Sequence, residues 1–201
     1  MRADLDAEAF AAGAKVREPH IRRLEALGVS LSALAALGRH QPAFGIERIR
    51  EESGGLWVPD PDGYLAAIVP VVEHWLVDCS GVLLDTVEIV DLVAFRTASP
   101  MRWRWRTGDG WALGAGHLIG DAPIDLVASP LAWLASAGRA MCLLDWELRP
   151  QRWRQLRDGP PIVTADEMLR RRLNDKFSAS IPPIVLAPVN VEPTSRSRRY
   201  A

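Results

Sequence analysis

The last third of the chain constrains the fold most, because short apolar runs alternate there with helix-like runs of roughly ten residues. Ile124 to Ala128 reads as a strand, Pro130 to Ala137 as a helix opening on a proline, and Ala140 to Leu144 as a second strand. Leu148 to Arg157 reads as a helix and Pro161 to Ala165 as a third strand. Asp166 to Phe177 follows as a polar-faced helix and Ile184 to Ala187 as a fourth strand. Parallel strands need a long crossover, usually helical, so this layout predicts βαβ units and a parallel sheet. The expected fold class is α/β, with the parallel-sheet domain over residues 121–187.

Upstream the periodicity differs. Over residues 1–50 the spacing is helical, with Leu5, Ala9 and Phe10, then Ile21, Leu24 and Leu27, then Leu31, Leu34 and Leu37. Gly28 and Gly38 read as helix stops, and Ser30 as a cap between them. Residues 51–120 are β-rich. Leu56 to Val58, Leu65 to Val72, Trp75 to Val77, Val82 to Leu84 and Glu88 to Phe95 are dense in β-branched and aromatic residues. Pro59-Asp60-Pro61-Asp62-Gly63 and Cys79-Ser80-Gly81 supply turns. Residues 188–201 are polar and basic without an apolar period and read as a flexible tail.

A chain of 201 residues, 48% apolar and 24% charged, has the composition of a soluble globular protein. Its net charge of -1 excludes a globally basic nucleic-acid binder, although all cationic residues except Lys15 and Lys176 are arginines. Cys79 and Cys142 lack the close spacing of zinc or redox motifs and read as buried thiols. The four histidines lie at least twenty residues apart and form no ligand motif. The opening MRADLDAEAF lacks the apolar core of a signal peptide, and no run is long enough to span a bilayer. A cytoplasmic protein without a membrane partner is expected.

Arg102-Trp103-Arg104-Trp105-Arg106 is the best local case for nucleic-acid contact, since guanidinium groups bind phosphate and indoles stack on unpaired bases. Strict alternation places the arginines on one face of a strand and the tryptophans on the other, which favours core packing for Trp103 and Trp105. The arginines are then free for phosphate or for acidic side chains. Arg152, on a helix with other arginines, and Arg170, in the run Arg170-Arg171-Arg172, complete the candidate phosphate contacts. A solvated helical face is the favoured reading of that run. Gly108 to Gly116 is glycine-rich but lacks the lysine of a phosphate loop.

In order of elements, the strand ending near Ser129, the helix after Pro130, the strand Met141-Cys142-Leu143-Leu144, a further helix, and Ile162-Val163-Thr164-Ala165 before Asp166 resemble the Toprim domain of bacterial and phage primases. The stretches Gly63 to Val71 and Ile89 to Phe95 resemble the β-rich region preceding it. The resemblance covers residues 56–187 and implies a mobile-element or prophage setting and a replication role. Toprim enzymes place a glutamate after the first strand and an Asp-x-Asp pair after the third, which hold magnesium. Ala128 and Ser129 occupy the first location here. At the second, Asp166 matches but Met168 does not, and Asp166 with Glu167 also suits the start of a helix.

The resulting expectation is a noncatalytic, degenerate primase-like protein without a cofactor, whose partner is nucleic acid or a replication protein. One alternative is a protein-interaction or structural component without nucleic-acid binding, which the eight tryptophans suit. Another is a magnesium-dependent nucleotidyl-transfer or nuclease enzyme using Asp145, Asp166 and Glu167. The sequence leaves the oligomeric state open.

Overall fold

The computed structural model describes residues 3–38, 42–79 and 82–180, with side chains over the same residues apart from 75–85 and 179–180. The sequence-predicted strand Ile184 to Ala187, the tail 188–201, His40 and the Cys79 side chain lie outside that description. Three helices open the chain: α1 (Leu5–Ala14), α2 (Glu18–Glu25) and α3 (Leu31–Leu37). Their ends follow from local chemistry. Gly28 adopts a positive φ of 94° after α2, and the Ser30 hydroxyl accepts from Ala33 N at 3.1 Å to cap α3.

Five strands then build one antiparallel sheet. They are β1 (Gly45–Glu51), β2 (Trp57–Pro59), β3 (Tyr64–Cys79), β4 (Val82–Phe95) and β5 (Trp103–Trp105), in the order β2-β1-β3-β4-β5. The two apolar runs before and after Glu73-His74 are one continuous strand, paired with β4 from Ala67 to Cys79. β1 falls inside the segment that helical spacing assigned to residues 1–50. Its sequence GIERIRE is mostly charged, and its two isoleucines lie three apart, a spacing without strand period. Pairing with β3 over Gly45 to Ile49 overrides that local signal.

Both faces of the sheet are covered. Ala9 and Ala12 of α1 pack with Ile49, Trp57, Ala66, Ile68 and Leu92 on one face. On the other, Leu24 and Leu34 of the front helices and Val29 between them meet Ala67, Val69, Val71, Val93 and Phe95, and then Trp133, Cys142 and Leu144 from the last third. The helical, β-rich and α/β segments therefore share a core. Burying a side chain such as Phe95 contributes about 2–3 kcal/mol.

The last third is mixed α/β, as expected, with very short strands. β6 (Ala112–Leu113) pairs antiparallel with β8 (Cys142–Leu143), and β7 (Ile124–Asp125) pairs parallel with β9 (Ile162–Val163). Leu126 bridges Met141 in parallel, with Val127 N donating to Met141 O at 2.9 Å and Met141 N to Asp125 O at 2.8 Å. Met141, the β7 segment and β9 thus lie side by side and run the same way. The crossovers are α4 (Pro130–Ala135) and α5 (Pro150–Asp158), and α6 (Glu167–Ser180) packs on α5 through Trp153 and Phe177. Among the described residues no helix is long and apolar enough to cross a membrane.

Candidate functional site

Where β3 meets β4 the register slips. Val71 lies opposite Asp91 and Val72 opposite Ile89, leaving Val90 as the extra residue of a β-bulge. Bulges bend a strand and re-aim its side chains. Two carboxylates within otherwise apolar stretches flank this one: Asp91 is 0% exposed and Glu73 is 7% exposed. A buried carboxylate is tolerated only when donors satisfy it, and the two are satisfied differently.

Asp91 is held by backbone. Its Oδ1 accepts from the amides of Leu92 at 2.7 Å and of Arg106 and Thr107 at 2.9 Å, and its Oδ2 from Gly108 and Gly110, both at 2.9 Å. The turn after β5 is thereby wrapped round one side chain. Gly108 supplies the positive φ of 87° that the turn requires, and a Cβ on Gly110 would stand 2.8 Å from Asp91 Cβ. The start of the glycine-rich stretch is thus an anion nest whose anion belongs to the same chain.

Glu73 is held by side chains. Its Oε1 accepts from Trp111 Nε1 at 2.9 Å, and Arg152 Nη2 donates to Oε1 and Oε2 at 2.7 and 3.0 Å. The Arg152 guanidinium lies 5.0 Å from the centre of the Trp111 ring, and its Nη1 donates to Gln155 Oε1. Arg152 thereby joins α5 to the antiparallel sheet. A cavity of about 300 Å³ lies on one side of this cluster, bounded also by His74, Gly116, Leu118, Gln155 and Asp158. One of about 380 Å³ lies on the other, bounded by Val90, Asp109, Asp145, Glu147, Leu148 and Arg149. Glu73, Trp111 and Arg152 line both, so the two form one cleft divided by an ion pair.

The candidate phosphate contacts do not converge here. Arg104 binds Glu51, with Nε to Oε2 at 2.9 Å, and Arg106 makes a two-pronged contact to Glu8 at 2.8 and 3.0 Å. Arg170 pairs with Glu167 on α6, and Arg152 with Glu73. Arg102 is exposed and pairs with no carboxylate among the described residues. Trp103 and Trp105 pack against the core, their indole nitrogens donating to Leu144 O and Gly110 O. Arg172 lies over the Trp146 ring at 4.1 Å.

The carboxylates of the metal alternative serve the local backbone. Asp166 Oδ1 accepts from Met168 N and Leu169 N at the start of α6, and Asp145 Oδ1 from Glu147 N. The Ser129 hydroxyl caps α4 through Ala132 N. Among the described residues no three His, Cys, Asp or Glu side chains are placed to hold a metal ion. Glu167 sits below the usual carboxylate range because Arg170 and Arg171 donate to it. Glu51 is likewise lowered, by the Tyr64 hydroxyl and then Arg104, while burial and then Glu51 push Tyr64 up to about 12. Burial raises the Cys142 thiol to about 12.

Reading the sequence located Arg152 and Asp145 but missed Glu73, Asp91, Asp109 and Trp111. The available signal was an acidic residue inside an apolar strand, as in Val71-Val72-Glu73 and Ile89-Val90-Asp91, since a carboxylate buried there must find donors. The chain matches no protein-family model, no curated protein and no solved structure.

Proposed function

We propose that this chain is a noncatalytic accessory protein of a replication apparatus, built on a degenerate Toprim-like module of mobile-element or prophage origin. The observation that supports it most is at the carboxyl ends of the three parallel segments. These ends are where open α/β sheets place ligands. The side chains after them, Ser129, Asp145 and Asp166, each accept a hydrogen bond from a nearby backbone amide. The parallel alignment of Leu126 with Met141 and of β7 with β9 agrees with the element order of such a module.

Of the two roles open to it, contact with another protein is favoured over contact with phosphate. Four of the five candidate arginines, Arg104, Arg106, Arg152 and Arg170, already hold carboxylates. The test combines magnesium and manganese thermal-shift titrations with primer-synthesis and nicking assays, and the expected result is no shift and no product. Metal-dependent product that disappears in Asp145→Asn or Asp166→Asn would overturn the noncatalytic reading. Binding to single- or double-stranded DNA is expected to be weak and abolished by moderate salt; tight binding that persists there would overturn the preference for a protein partner.

A further inference from the structure

We propose that the cleft across the bulge is the docking site for a basic segment of a partner protein, one arginine or lysine of which enters the cavity between Asp109 and Asp145. This assignment rests on the accessory reading and names the chemistry of its partner.

Charge and shape of the cleft point to the same occupant. Glu73, Asp109, Asp145, Glu147 and Asp158 line the cleft with Arg149 and Arg152, five negative charges against two positive ones. Lys176 and Arg157, which pair with two of these acids, reduce the excess to -1, carried by Asp109 and Asp145 against Arg149. Several of these charges are already matched: Glu73 by Arg152, Glu147 by Lys176 and Asp158 by Arg157. Asp109 and Asp145 are not. Asp109 is exposed and its carboxylate has no partner among the described residues, and Asp145 uses one oxygen on the amide of Glu147. Both border the 380 Å³ cavity.

The walls of that cavity suit a long cationic side chain. Val90, Leu148 and Trp111 offer apolar surface for a methylene stem while the two aspartates receive its head. The molecule shows the same recognition within itself, since Arg152 enters from α5, lies over Trp111 and ends on buried Glu73. A phosphate in that cavity would meet Asp109 and Asp145, with Arg149 as the cation that has no carboxylate partner among the described residues, so a nucleic-acid strand is the wrong occupant.

The experiment is fluorescence anisotropy of a labelled tetra-arginine peptide against the full chain at low salt. Binding is expected, with affinity falling about tenfold in D109N/D145N and by less than about twofold in E25Q/D62N, whose exposed acids lie outside the cleft. Circular dichroism checks that each variant is folded, and D109N alone, at an exposed position, serves if the double variant is not. No binding, an unchanged affinity in the cleft variant, or an equal loss in the control variant would overturn the proposal. So would binding of labelled oligothymidine, measured without the peptide, at a comparable affinity that also falls in D109N/D145N. Absent peptide binding with blank metal assays removes the docking site and leaves the accessory reading standing, whereas metal-dependent product removes that reading itself.

Discussion

The two sides of the bulge solve one problem in opposite ways. At Asp91 a buried carboxylate is surrounded by five backbone amides, and nothing in that arrangement can leave without unfolding the turn from Arg106 to Gly110. At Glu73, two residues beyond the slip in register, a buried carboxylate is met by Trp111 and Arg152, whose side chain remains 31% exposed and borders two cavities. Backbone donors make a fixed structural joint, whereas side-chain donors leave a surface that another molecule can reach. Polar burial alone does not mark a functional site; the mobility of the donors decides.

The largest way to break the contrast is Asp91→Ala. It removes the acceptor of the Leu92, Thr107, Gly108 and Gly110 amides, of which Leu92 and Gly110 are buried, and about 3–5 kcal/mol of stability should be lost in urea unfolding. A loss below about 1 kcal/mol would show that the turn does not depend on the nest. Next comes Arg152→Ala, which leaves Glu73 buried without its cation and should cost about 2–3 kcal/mol. Glu73→Gln keeps an acceptor for Trp111 and leaves Arg152 partly solvated, so about 1–2 kcal/mol is expected. If the two variants are equally destabilised, the asymmetry drawn between carboxylate and cation is wrong.

The thiol of Cys142 sharpens the comparison from a third position, because it is buried with no charge to satisfy it. Its value is raised from 9.0 to about 12, so the fold favours the protonated form. Its contribution is complete below pH 9 and declines as pH rises toward 12. Thermal melts should therefore show a steeper loss of stability across that window in the native chain than in Cys142→Ala, and parallel slopes would exclude the thiol as the cause. The smallest effect belongs to Arg104→Ala at the sheet rim, about 0.5 kcal/mol for an exposed ion pair. Glu51 is lowered, so the contribution of its contacts is present at neutral pH and is lost as pH falls below its ordinary carboxylate range.

Reading the residues in order recovered what short-range chemistry decides. Gly28, Ser30 and Gly38 place the helix ends near where they lie, and the alternation of runs after residue 121 yields the order of strands and helices. It did not recover β1, whose charged sequence becomes a strand only by pairing with β3. Nor could it place the arginines. Arg104 finds its carboxylate 53 residues away and Arg152 finds Glu73 79 residues away, separations that no local pattern encodes. Glu73 and Asp91 were visible as acids in apolar strands, yet their common role appears only when the register brings both to the bulge.

The contact of Arg106 with Glu8 spans 98 residues of chain, and this has a consequence for assembly during synthesis. At roughly 5–20 residues per second, Glu8 of α1 is made some 5–20 s before its guanidinium partner. The hairpin of β3 and β4 closes between neighbouring strands and can form without waiting for either end. α1 is thus locked only after the strands it covers have been made, and hydrogen exchange should find it opening ahead of that sheet.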